Sequence, residues 1–257
     1  MPRSLPRITL PIAGRIALIL AGVVVFVSLQ TENLAAEPLR LAQIAPSDSE
    51  LRIYAGLFEA AASGDAAEIE RLIADGAKPN VQDSRSRTPL MVAAFFGRHE
   101  AARALIRHGA NLNARDGQRY DILTIAAVND DAEMTGILLA AGADPRAVAG
   151  PYATTALIAA GHHGHAATVD ALIAARAPLD HINNLGWTAL SQAIVLGNGS
   201  AGHVATVAAL VRAGADVNIT DRQGLRALDH AKSRAAGGGG YAEMVRILEG
   251  AEARPER

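Results

Sequence analysis

The sequence predicts an all-α solenoid of about six stacked helix-turn-helix repeats with short hairpin loops, set behind an N-terminal segment of different character. Three observations carry that prediction. A Gly-Ala pair suited to the end of a helix recurs at Gly76-Ala77, Gly109-Ala110, Gly142-Ala143, Gly214-Ala215 and Gly250-Ala251, with Arg176-Ala177 filling the one gap. The successive spacings are 33, 33, 34, 38 and 36 residues, the period of a stacked repeat. A second marker keeps step with the first: Thr88-Pro89-Leu90, Asp121-Ile122-Leu123, Thr155-Ala156-Leu157, Thr188-Ala189-Leu190 and Arg226-Ala227-Leu228. Finally, 50% of the residues are hydrophobic but only 4% are aromatic, and alanine is abundant, so the core must be built from small aliphatic side chains. Such a core favours closely spaced helices over packed strands.

The first elements in chain order are not repeats. Arg3, Arg7 and Arg15 precede an uncharged run from Ile16 to Leu29, after which Gln30, Thr31, Glu32 and Asn33 lead to Ala35 and Ala36. A basic start, an apolar middle and small residues at a cut site are the layout of a secretory signal. The 14-residue run makes about 21 Å of helix, short against a bilayer core of about 30 Å. A cleaved signal peptide over residues 1–36 is therefore expected, with an uncleaved signal anchor as the alternative. Residues 37–50 read as a linker, in which Pro46, Ser47 and Asp48 open the first helix. The repeat domain follows over residues 51–252, with repeats at about 51–83, 84–116, 117–150, 151–183, 184–221 and 222–252.

Within the repeats, Ala93-Ala94, Ala126-Ala127, Gly164-His165, Leu138-Leu139 and Gly214-Ala215-Asp216-Val217-Asn218 complete a pattern. That pattern resembles the ankyrin repeat: a Thr-Pro-Leu turn, an Ala-Ala inner helix, a Gly-His turn, an outer helix with paired leucines, and Gly-Ala-Asp-Val-Asn. Each residue type has a physical task. Thr88, Thr155 and Thr188 can accept a backbone hydrogen bond at the start of the inner helix, and Pro89 suits its first position. Pairs such as Leu105-Ile106 and Leu172-Ile173 supply an apolar stripe that no single repeat could bury alone. The family's histidine after Thr-Pro-Leu is missing throughout, replaced by Met91, Thr124, Ile158, Ser191 and Asp229. The fifth and sixth repeats carry extra residues at equivalent places, Asn198 to Gly202 and Ala235 to Gly239, whose glycine content predicts flexible loops. Together with the export signal, Gly186-Trp187-Thr188-Ala189-Leu190 and the final Tyr241 to Val245 segment, these insertions resemble those of bacterial periplasmic ankyrin proteins.

The resemblance also implies where a partner sits. Its partner-reading positions are the hairpin tips before each Thr-Pro-Leu turn and the two residues after each Ala-Ala pair. On this chain they fall at Arg85, Arg87, Phe95, Phe96, Arg115, Tyr120, Val128, Asn129, Tyr152, His162, His163, Asn184, Trp187, Val195 and Leu196. Aromatic side chains on a rigid surface are typical anchors for a protein, and arginines beside them supply orientation. A monomer binding a protein partner is expected. The net charge of -2 and the lack of a basic stripe argue against nucleic acid. Membrane contact is expected only if the N-terminal segment stays uncleaved.

Catalysis has little to stand on. The absence of cysteine removes disulfides, thiolate chemistry and cysteine-ligated zinc. His162, His163 and His165 could be imagined around a metal, but they flank a glycine rather than share a helical face, and His165 has a structural use in the Gly-His turn. Asp130, Asp131 and Glu133 fit the charged start of a helix. No nucleophile elbow or His-Glu-x-x-His is present, and Gly237 to Gly240 lack the lysine of a phosphate loop. The expectation is a non-catalytic protein-binding scaffold without cofactor, exported to the bacterial periplasm. A membrane-anchored spacer and a histidine-cluster metal binder are the alternatives.

Overall fold

The computed structural model describes residues 45–252. The expected signal peptide and most of the linker lie outside the described residues.

A short helix α1 (Asp48–Leu51) comes first, closed by a capping box in which Ser47 and Glu50 exchange hydrogen bonds. Ser47 thus opens only this single turn, within the stretch read as linker. The first repeat's inner helix begins later, at Leu57, after Gly56 at φ +59°.

Six helix pairs follow. The inner helices are α2 (Leu57–Ser63), α4 (Pro89–Phe95), α6 (Ile122–Val128), α8 (Ala156–His163), α10 (Ala189–Val195) and α12 (Ala227–Ala235). Their outer partners are α3 (Ala66–Ala74), α5 (His99–Arg107), α7 (Ala132–Ala140), α9 (Ala166–Ala174), α11 (Ala201–Ala213) and α13 (Tyr241–Glu252). Each inner helix packs on the next inner helix and each outer helix on the next outer one. This is an all-α solenoid, and its sheet content among the described residues is one pair of two-residue strands, β1 (Val148–Ala149) and β2 (Thr154–Thr155).

The caps explain where the inner helices start. The side chains of Thr88, Asp121, Thr155 and Thr188 accept from the backbone N–H three residues on, at Met91, Thr124, Ile158 and Ser191. Seven-residue helices are marginal alone, so their stability comes from the alanines and leucines buried between neighbours. Ala93, Ala94, Ala126, Ala127, Ala159, Ala160 and Ala193 all lie in this seam, where a larger side chain would separate the helices.

The outer helices end in one recurring turn. Ala77, Ala110, Ala143 and Ala177 donate their N–H back to Leu72, Leu105, Leu138 and Leu172. The residue before each has a left-handed backbone, and where glycine is lacking, Arg176 adopts φ +60° itself. Gly250-Ala251 departs from the series, because α13 continues through it to Glu252.

The glycine-rich insertions also differ from expectation. They are not free loops but lie against each other: Gly240 donates its N–H to Gly199 O at 2.8 Å, and Tyr241 Oη donates to Gly197 O at 2.6 Å. A Cβ on Gly240 would stand 2.2 Å from Val204 Cγ2, and one on Gly199 would stand 2.8 Å from the Tyr241 ring. Glycine serves here for close approach at Gly240, and at Gly199 for close approach and a left-handed backbone at φ +67° together.

Candidate protein-binding face

Four of the hairpins that precede inner helices are built by one device, and the one before α8 by the β1–β2 pair instead. Asp83 Oδ1 accepts from the N–H groups of Arg85 and Arg87, Asp116 Oδ1 from Gln118 and Tyr120, Asn183 Oδ1 from Leu185 and Trp187, and Asp221 Oδ1 from Gln223 and Leu225. Neighbouring tips are then tied by backbone bonds, Gly117 N to Arg85 O at 2.7 Å, Gly150 N to Arg119 O at 2.9 Å and Asn184 N to Tyr152 O at 2.8 Å. The tips therefore form one linked edge along the N-terminal starts of the inner helices.

Twelve of the fifteen residues selected from the sequence keep access to solvent. At the helix ends, Phe95 and Phe96 are half-buried and rest on the core, and Asn129 is exposed with Nδ2 3.5 Å from the Ala94 and Phe95 carbonyls. His162, His163, Val195 and Leu196 are half-buried further along. On the tips, Arg85 is exposed and pairs with Glu50 at 2.8 Å, while Arg115 is exposed and donates to Val148 O at 3.0 Å. Tyr152 and Trp187 are half-buried and Asn184 is exposed.

Three selected residues are interior, and each has a local cause. Arg87 is 1% exposed because it bridges Asp83 and Glu50, both at 2.7 Å, and so locks α1 onto the first hairpin. Tyr120 is 1% exposed because its ring fills the space that Gly150 leaves; a Cβ at Gly150 would be 2.5 Å from Tyr120 Cε1. Val128, 4% exposed, closes the end of α6. None of these three can act as a surface contact.

The histidines gather more tightly than the sequence indicated. His162 and His163 meet edge to face with ring centres 4.5 Å apart, and His163 stacks on His165 at 5.2 Å. His203, which sequence reasoning missed, joins them through Nε2 on His162 O at 3.0 Å, with Nδ1 on Ser200 Oγ at 2.9 Å. Its only signal was its place directly after the first insertion. Burial, followed by the charges of neighbouring imidazoles, pushes His162 down to about 3 and His163 to about 4, so both are neutral at pH 7. His165 bonds Ala127 O through Nδ1 at 3.0 Å, the structural use expected of it. His163 Nε2 is buried without a hydrogen-bond partner, and no three His, Cys, Asp or Glu side chains converge as metal ligands among the described residues.

The family model for ankyrin repeats (3 copies) matches residues 57–149 and 123–221. The chain belongs to the ankyrin-repeat family. An ankyrin repeat domain from Acinetobacter baumannii AYE is 37% identical with a TM-score of 0.70, over 77% of this chain and 98% of that one. A second solved ankyrin repeat protein is 30% identical with a TM-score of 0.68, over 76% of this chain and 96% of the other. A chain in the structure of a predatory endopeptidase from Bdellovibrio bacteriovorus in complex with an immunity protein is 27% identical. Its TM-score is 0.64, over 77% of this chain and 98% of that one. No curated protein matches the chain. Ankyrin repeats are a protein-interaction domain, and this one presents a linked edge of hairpin tips where the inner helices start and partly exposed aromatic and aliphatic side chains where they end.

Proposed function

We propose that this ankyrin chain is an exported, non-catalytic scaffold of the bacterial periplasm that binds one protein partner across its inner-helix ends and hairpin tips. The observation that carries the reading is the set Phe95, Phe96, Val195 and Leu196, apolar side chains that keep partial exposure on helices whose other apolar positions are sealed. Partly exposed apolar groups together with the exposed polar Arg85, Arg115, Asn129 and Asn184 have the residue makeup of an interface core with a polar rim. The similarity to a chain from an endopeptidase–immunity protein complex supports a protein as the bound class. Export rests on the basic-apolar-small layout of residues 1–36.

The test is affinity capture from a periplasmic extract, with the partner identified by mass spectrometry. The triple variant Phe95→Ala, Tyr152→Ala, Trp187→Ala should keep its helical signal and lose the captured protein. A folded triple variant that retains it would place the binding face elsewhere. N-terminal sequencing of the mature chain should give a start at Glu37. An intact Met1 in the membrane fraction would instead mean an anchored spacer.

A further inference from the structure

Asp121 stands where other repeats place Thr88, Thr155 and Thr188, at the cap of α6. Its Oδ1 does the threonine hydroxyl's work, accepting from Thr124 N at 2.8 Å. The second oxygen, Oδ2, has no counterpart in a threonine side chain. It is buried with no hydrogen-bond partner, in a residue only 5% exposed. A carboxylate oxygen withdrawn from water with nothing to bind is costly, and a simple threonine would avoid that cost.

Beside it lies a cavity of about 50 Å³ between the loops that follow the second and third outer helices, bounded by Leu112 and Leu123 and lined by Asn113, Arg115, Asp121 and Asp144. The lining supplies oxygen: two carboxylates and a side-chain amide. Asp144 Oδ1 accepts from Arg146 N at 2.9 Å, which holds that carboxylate in place. Burial pushes Asp121 up, its bonds to Thr124 and the Arg115 charge draw it down, and the charge of Asp144 adds to the rise.

We infer that this cavity is a calcium site, with Asp121 Oδ2, an Asp144 oxygen and the Asn113 amide oxygen as protein ligands and water completing the shell. Hard oxygen donors with no sulfur or imidazole select calcium or magnesium over zinc. Calcium is favoured because it accepts irregular, partly hydrated shells, whereas magnesium demands a near-ideal octahedron. Asp144 and Arg115 are exposed, so the cavity has an entrance. Arg115, tied to Val148 O, is the cation that the ion must compete with. Two carboxylates imply weak binding, with a Kd of about 10⁻⁴–10⁻³ M as in extracellular modules.

The experiment is thermal unfolding of the full chain in calcium chloride, magnesium chloride or sodium chloride at equal ionic strength. At 5 mM, calcium should raise the Tm by about 2–9 °C and magnesium by clearly less. Asp121→Thr, which restores the cap used in three other repeats, should fold and lose the calcium shift, and Asp144→Asn should lose it as well. Arg115→Gln should enlarge it. An unmoved parent chain, a shift that persists in Asp121→Thr, or equal shifts with both divalent ions would overturn the assignment.

Discussion

At the scale of single residues, the position just before each inner-helix cap shows how one register can carry opposite roles. Arg87, Tyr120 and Trp187 occupy it in three repeats, yet only Trp187 keeps access to solvent. The difference lies in the neighbouring hairpin. Tyr120 is interior because Gly150, at φ +67°, leaves room for its ring. Gly150→Ala should therefore cost about 2–4 kcal/mol, from backbone strain and overpacking together, measured by denaturant unfolding. Combining it with Tyr120→Ala should cost less than the sum of the two. The pattern of one repeat says nothing about the Cβ of the next, which is why burial of Tyr120 was not legible in the sequence while the caps at Thr88, Thr155 and Thr188 were. His162 and His163 supply a second prediction. Folding lowers their proton affinity to about 3 and about 4, whereas the unfolded chain takes up protons near pH 6.5. Stability should thus be flat above about pH 7 and fall as the pH drops from 6.5 toward 4, because the unfolded state binds protons that the folded state refuses. The double variant His162→Gln, His163→Gln should show a shallower fall in Tm over that range.

At the scale of elements, helix starts and ends were readable because each depends on a short local motif. The Schellman turn at Ala77, Ala110, Ala143 and Ala177 follows from the residues that form it. The insertions were misread for the opposite reason. Glycine content reports backbone freedom in an isolated segment, but Gly199 and Gly240 are used for contact across two repeats. Tyr241 closes that contact, with its hydroxyl on Gly197 O and Arg234 positioned 5.9 Å over its ring. Tyr241→Phe should cost about 1–2 kcal/mol by leaving the Gly197 carbonyl without this donor. The loss should be local, seen as faster amide exchange in α13 with little change in α4.

At the scale of the whole molecule, stability is a sum of repeat terms and neighbour interfaces. The two ends are sealed differently. α1 is held at the N-terminal end by the buried Arg87 with Glu50 and Asp83, whereas the last pair relies on Leu228, Ala231, Met244 and Leu248. Deleting residues 222–252 should uncover the buried Leu190, Ile194 and Leu210 faces of α10 and α11, lowering both the urea midpoint and the m-value. A truncated chain with an unchanged midpoint would mean that the sixth pair contributes no interface.

The meeting of the two insertions also limits how such a chain can be rearranged. Gly240 needs Gly199 opposite it, and Tyr241 needs the Gly197 carbonyl, so the second extra segment depends on the first. A shuffled protein that inherited one without the other would place a gap, or a collision, where an ordinary turn met a long one. Residues 197–241 must therefore be inherited together, and workable crossover points in recombination lie outside that stretch.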